Sequence, residues 1–324
     1  MDDNALVQVQ NLKKHFLTGD SGFFKKTGVV HAVDGVSMTV AKGETLGLVG
    51  ESGCGKSTLG RLILRLLEPT SGKVYFKGQN IYDIDGEQLR QMRRKMQIIF
   101  QDPYASLNPR MPVGDIIGEP LETHGVAFGK DKEKMVFELM REVGLRSYHM
   151  RRYPHQFSGG QRQRVGIARA LALNPELIIC DEPVSALDVS IQAQVLNLLK
   201  ELQNRFQLTY IFISHDLRVV KYVSDKVCVM FLGKIVEAGN TEDIYKNPLH
   251  PYTRFLMSAV PEANPRLRDR KRTILEGEVP SPVNPPPGCR FHTRCPQAIK
   301  LCREQEPETI DFNGHIVACY RCLA

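Results

Sequence analysis

Apolar and polar positions alternate over residues 5–12 and again over 30–49, with Val7, Val9, Leu12, Val33, Val36, Met38 and Val40 marking the apolar side. A period of two predicts twisted strands of an antiparallel sheet. Leu46–Val49, Leu177–Cys180 and Tyr210–Ile213 are short runs with the length and character of buried strands, and Met96–Phe100 reads as another. Between 111 and 173 the spacing turns helical, as in Met135, Leu139, Met140 and Val143 after the polar start at Asp131. Further helices are predicted from about Ser57 to Leu67 and from about 190 to 206. Lys226–Phe231 and Lys234–Ala238 read as two more β segments. Strands that alternate with helices predict an α/β core with a mostly parallel sheet and an antiparallel β portion. No fixed period repeats along the chain, which excludes a solenoid.

From Pro261 onward prolines multiply (Pro265, Pro280, Pro282, Pro285, Pro286 and Pro287) and predict a stiff, extended linker. The expected division is therefore a domain over 1–260 and a proline- and cysteine-rich extension over 261–324. The 324 residues are 42% hydrophobic and 24% charged, ordinary for a chain that buries a core. The acidic start at Met1 lacks a signal-peptide pattern, and no run of about 18 apolar residues offers a transmembrane helix. A soluble chain is expected, reaching any membrane through another protein. The net charge of +7 favours anionic partners, nucleotide, nucleic acid or a membrane surface among them.

Residues Gly50, Glu51, Ser52, Gly53, Cys54, Gly55, Lys56, Ser57 and Thr58 contain a full GxxxxGK[ST] match, placed after a buried strand and before a helix. Its glycines let backbone N–H groups turn toward phosphates, and the following helix adds the positive end of its dipole. Lys56 is placed to reach the β- and γ-phosphates and Ser57 to ligate Mg²⁺. A chance glycine-rich turn is the bland reading, and the strand–loop–helix context opposes it. Cys54 reads as a small filler. A second half-site needs an acid at the end of a buried strand, and Asp181 and Glu182 supply it. Asp181 is placed to hold Mg²⁺ and Glu182 to polarise the attacking water as general base.

The segment Phe157 to Leu171 narrows the class, because Ser158, Gly159, Gly160 and Gln161 match the LSGGQ motif with Phe for Leu before it. On this motif, together with the phosphate loop, the chain resembles the ABC ATPases over about residues 7–240. That resemblance implies a P-loop ABC ATPase fold with a helical subdomain inserted at about 102–173. It further implies that the 158–161 nest docks on the γ-phosphate held by an opposing subunit. Gln101 resembles the glutamine that senses Mg²⁺ and the attacking water, and Asp188 belongs to a loop resembling the coupling D-loop. His215 resembles the switch histidine, and Phe16 the aromatic that stacks on adenine, although a plain core Phe is nearly as good a reading there. The segment 102–109 is the expected permease contact.

The tail from His250 to Leu256 and from Glu278 to Cys295 resembles the extension of ATPases from dipeptide, oligopeptide and nickel importers. The stretches Phe100–Arg110 and Gly159–Leu171 resemble the F-type member of an ATPase pair. This implies ATP-driven dimer closure with a D-type homologue, under two permease subunits served by an extracytoplasmic peptide-binding protein. It places the chain on the cytoplasmic face of the membrane. A nickel or other solute importer is the alternative within the family. A non-transport ABC ATPase acting on nucleic acid is the rival outside it, but no basic stripe with interleaved aromatics supports that, and nucleic acid is not expected as a partner.

Eight cysteines are unevenly placed, with Cys54, Cys180 and Cys228 scattered and five crowded after residue 288. Cys289, Cys295, Cys302 and Cys319 sit in a segment too small for its own core, where a staple is expected. A reducing compartment disfavours disulfides and leaves zinc, an iron–sulfur cluster or free thiols. The family resemblance tips this toward a [4Fe–4S] cluster, with Cys322 as spare or substitute for Cys319.

Overall fold

The computed structural model describes residues 4–18, 28–258 and 280–322. The proline-rich segment 261–279 and the acidic start fall outside the described residues. The chain divides into two units. The first takes its residues from Met1–Val40, Thr45–Tyr82 and Ser214–Ala324, the second from Ala41–Glu44 and Asp83–Ile213.

In the first unit, β1 (Ala5–Thr18), β2 (Gly28–Ala41), β4 (Ser71–Phe76) and β5 (Gln79–Asn80) form a sheet in the order β2-β1-β4-β5. The period-two pattern is realised, since Val7, Val9, Leu12, Val33, Val36 and Val40 are buried. β1 and β4 run antiparallel, pairing Val7 with Phe76 and Val9 with Val74.

The same unit holds a second sheet. β3 (Thr45–Val49) lies parallel to β9 (Lys226–Phe231), and β9 is antiparallel to β10 (Lys234–Asn240). β3 is buried at every position, which is why it lacks alternation. β10 in turn pairs with β12 (His315–Val317), and β12 with β11 (Ile310–Phe312). The cysteine-rich tail thus adds strands to this sheet and is not a detached appendage. Helix α1 (Lys56–Ile63) buries Leu59, Leu62 and Ile63. It is shorter than the pattern to Leu67 predicts, because Arg65 takes a left-handed φ of 49° and turns the chain.

The second unit stacks β6 (Met96–Ile99), β7 (Leu177–Asp181) and β8 (Thr209–Ile213) in parallel, pairing Ile99 with Cys180 and Asp181 with Ile213. α2 (Gly86–Lys95) buries none of its residues, so the basic run ending it is a solvated face. α3 (Pro103–Ser106), α4 (Val113–Thr123), α5 (Gly129–Glu142) and α6 (Gly159–Leu171) account for the helical stretch. α7 (Val189–Phe206) buries Val195, Leu198, Leu199 and Leu202, one stripe at helical spacing.

The first unit is completed by α8 (Leu217–Val223), α9 (Thr241–Lys246), α10 (Pro251–Ser258) and α11 (Lys300–Glu304). Glu237 on β10 is fully buried and ties these parts together. Its carboxylate accepts from Leu249 N–H at 2.7 Å, His250 N–H at 2.9 Å and pairs with His315 Nε2 at 2.7 Å. A buried charge held by three partners anchors the tail to the sheet.

Candidate nucleotide site

The loop from Gly50 to Gly55 leaves the end of β3 and enters α1, the arrangement that the motif requires. Gly50 (φ 153°) and Gly55 (φ 109°) are essential to its path. A Cβ at Gly50 would meet Met230 O at 2.1 Å, and one at Gly55 would meet Ala32 O at 2.0 Å. Lys56 is 5% exposed, and its Nζ donates to Gly50 O and Glu51 O, each at 2.9 Å. The cation therefore lies within the curve of the loop. Cys54 is buried and burial raises its thiol pKa, in keeping with a filler and against a nucleophile. Ser57 and Thr58 follow on the first turn of α1, both half-buried.

In the second unit Asp181 ends β7 and is 4% exposed. Glu182 follows in a left-handed conformation with φ 47°, an uncommon state for a residue with a long side chain. Its N–H donates to Ile213 O at 3.0 Å, which fixes the turn, and its Oε2 accepts from Gln101 Nε2 at 3.0 Å. Two residues expected to attend the attacking water are thus brought together. Strain of this kind clusters where chemistry is done. After Glu182, Gln192 Nε2 braces the turn by donating to Val184 O and Leu187 O at 2.9 Å each, leaving Asp188 exposed at the head of α7.

Ser158 caps α6 in a reciprocal box. Its hydroxyl accepts from Gln161 N–H at 3.4 Å, and its own N–H donates to Gln161 Oε1 at 3.1 Å. Gly159 and Gly160 then open the helix. Gly160 faces Ile191, whose Cγ2 would stand 2.4 Å from an added Cβ. Tyr104, in the segment 102–109, is exposed, and the Arg162 guanidinium lies 3.5 Å from its ring centroid.

His215 is exposed in the first unit, between β8 and α8. Phe16 lies on β1 at 36% exposure with Lys14 Nζ 5.0 Å from its ring, so it is not a core residue. Beside it His15 and His31 pack with ring centroids 4.1 Å apart over Asp34. These three bring their ligand atoms within 4.8 Å of one another. The Asp34 carboxylate already pairs with Arg290 and with Lys234, so a metal cation would meet two positive charges. Burial pushes the Asp34 carboxyl up, but His15, Arg290, Lys234 and His31 outweigh it and hold the group at about 2. The cluster is an ion-paired hub.

Burial, with repulsion from Cys302, Cys319 and Cys295, pushes the Cys289 thiol up to about 11. Cys302, Cys319 and Cys295 thus lie near enough to Cys289 for their charges to be felt there. Among the described residues, their sulfurs do not converge as tightly as the histidine–aspartate group does. Cys322 adjoins Cys319 and has its Sγ 3.8 Å from Leu249 O.

Sequence reasoning missed the contacts made to the loop by the tail. Glu51 N–H donates to the Tyr252 hydroxyl at 2.9 Å, and the Glu51 carboxylate pairs with Arg294. Tyr252 was visible only as part of the His250–Leu256 phrase, and no local pattern marks Arg294.

Comparison with known proteins places this geometry. The family profile described as ABC transporter matches residues 33–185, and that described as oligopeptide/dipeptide transporter, C-terminal region, matches residues 236–302. The oligopeptide transport ATP-binding protein AppF of Bacillus subtilis is 55% identical over 98% of this chain and 98% of its own length. The oligopeptide transport ATP-binding protein OppF of Salmonella typhimurium is 52% identical over 98% of this chain and 96% of its own. Among solved structures, the ATP-binding cassette MJ0796 in a post-hydrolysis state with ADP and Pi is similar at a TM-score of 0.64 and 30% identity. It covers 72% of this chain and is itself covered to 98%. With a nucleotide loop, a strained acid beside a glutamine and a capped glycine-rich helix all in family order, the chain belongs to the ABC transporter ATP-binding proteins, in the branch carrying the oligopeptide/dipeptide transporter C-terminal region.

Proposed function

We propose that this chain is the ATP-hydrolysing subunit of an importer for dipeptides or oligopeptides, working at the cytoplasmic face of the membrane beneath permease subunits. What carries this reading is the likeness to named peptide-transport ATP-binding proteins over 98% of the chain, extension included. That no helix among the described residues is long and apolar enough to cross a membrane accords with a peripheral place.

In this reading Gly50 to Thr58 bind the phosphates, Ser57, Gln101 and Asp181 serve Mg²⁺, and Phe16 receives adenine. Glu182 takes a proton from the attacking water, oriented by Gln101, and His215 reads the γ-phosphate. Ser158, Gly159, Gly160 and Gln161 act on nucleotide held by an opposing D-type subunit, and Asp188 links the two sites. ATP favours the closed pair because only the triphosphate bridges loop and signature helix. Its hydrolysis removes that preference, and the permease converts the cycle into alternating access. A peptide-binding protein delivers the substrate from outside.

The domain division at about residue 260 and the helical insertion at about 102–173 belong to the same reading. So does a [4Fe–4S] cluster on Cys289, Cys295, Cys302 and Cys319, which would cross-link four points of the tail. Support comes from the closeness of Cys302, Cys319 and Cys295 to the Cys289 thiol and from the family resemblance of the tail.

The test is reconstitution in liposomes with candidate permease subunits and a matching peptide-binding protein. Peptide should stimulate ATP turnover and accumulate inside. Stimulation by nickel but not by peptide would overturn the substrate class.

A further inference from the structure

Glu51 presents a chemical difficulty. It is the second residue of the phosphate loop, and a carboxylate there repels the polyphosphate the loop has to accept. Both of its ends are held by residues that follow β10 in the chain. Its N–H donates to the Tyr252 hydroxyl at 2.9 Å, so that amide points away from the loop interior. Its carboxylate receives Arg294 Nη1 on both oxygens, at 3.2 and 3.0 Å.

Neither contact is a loose surface pairing. The Arg294 side chain is 8% exposed, and its Nε is buried without a hydrogen-bond partner, so Glu51 is the anion that compensates it. Tyr252 is fully buried, its ring 4.7 Å from that of Phe231 and 5.3 Å from that of Phe291. Phe291 lies between Cys289 and Arg294, so the same short stretch fixes both holders.

We propose that Arg294 is a positioning residue for nucleotide binding, which neutralises the Glu51 carboxylate and holds it clear of the phosphates. The ATPase loop is thereby completed by a residue outside the 33–185 stretch matched by the ABC transporter profile. This rests on the reading of residues 50–58 as the nucleotide loop. Without Arg294 the released carboxylate competes with the phosphates for Lys56, and affinity falls while the chemistry at Glu182 is untouched. The loss is electrostatic, so it shrinks as salt rises.

The experiment is equilibrium binding of radiolabelled Mg·ATP to the full chain, with ATPase kinetics in the reconstituted complex. R294A should raise the Kd and KM about tenfold, the scale of one charge-assisted contact, with kcat within about twofold. R294K should keep most of the affinity. In an E51Q background R294A should add no further loss, because no charge remains to be neutralised. Wild-type affinity in folded R294A would overturn the proposal. So would an equal loss in the E51Q background, which would make the arginine a structural staple only. K56A separates the premise: if it binds Mg·ATP as the wild type does, the nucleotide-loop reading falls and this proposal with it.

Discussion

Gln101 Nε2 donates to Glu182 Oε2 at 3.0 Å, while the Glu182 backbone is held in a left-handed turn by Ile213 O. The hydrogen bond orients the carboxylate, and the left-handed backbone fixes where the side chain starts. Orientation of this sort is what a general base contributes beyond its basicity.

Glu182→Gln keeps the shape and removes the base. Mg·ATP binding should persist, since the proposed phosphate contacts come from Gly50 to Ser57. Turnover should fall by about 10²–10⁴, and an ATP-closed pair should accumulate on gel filtration with the partner subunit. Near-normal hydrolysis would remove Glu182 from the mechanism.

The signature helix offers a test of action across subunits. Gly160 is a poor choice, because any side chain there strikes Ile191 of the same chain. Ser158 is exposed, and Ser158→Arg loses a helix cap worth about 1 kcal/mol, which a folded protein tolerates. The isolated variant should bind ATP normally yet fail to close with its partner. Weakened binding in the folded monomer would contradict the assignment.

Two groups give acid sensitivity in successive, overlapping windows. His250 is fully enclosed, and burial, then Arg254, lowers its pKa to about 3. The unfolded chain therefore takes up a proton that the folded one refuses. The resulting stability is present above about pH 6.5 and drains away as pH falls toward 3. Asp34, held at about 2, adds a contribution present above about pH 4 and lost between there and 2. Chemical denaturation against pH should show both slopes. His250→Gln should flatten the first and Asp34→Asn the second.

Anaerobic purification tests the tail. The chain should carry about four iron and four sulfide with a broad visible absorbance, as expected of a [4Fe–4S] cluster. Cys295→Ser should abolish the colour, whereas Cys322→Ser should leave it. Stoichiometric zinc, or no metal, would exclude the cluster and leave the ATPase untouched.

Much of this was legible because local rules sufficed. A fully apolar run announces a strand buried on both faces, and Leu46–Val49, Leu177–Cys180 and Tyr210–Ile213 all became one. The loop at Gly50 and the box at Ser158 are short motifs whose geometry is written in adjacent residues. What stayed hidden depends on partners far apart in sequence. The α1 pattern runs on through Leu64, Leu66 and Leu67, and only the turn at Arg65 ends it. The antiparallel pairing of β12 with β10 hangs on Glu237, an acid in a strand that local pattern would assign to solvent. Asp34, Arg290 and Arg294 belong to no motif, and only the fold brings them to their partners.

The Asp34–Arg290 pair has a consequence for synthesis. The two residues are 256 positions apart, and along the same strand edge His31 N–H donates to Pro282 O at 3.0 Å. At about 5–20 residues per second, the ribosome leaves Asp34 without its arginine for roughly 13–50 s. During that interval β1 and β2 can form, but the edge of β2 is uncovered and the phosphate loop still waits for Tyr252 and Arg294. The nascent chain therefore has to be shielded from edge-to-edge pairing until that interval ends, and a premature stop before Arg294 releases a protein whose Glu51 carboxylate has no arginine to meet.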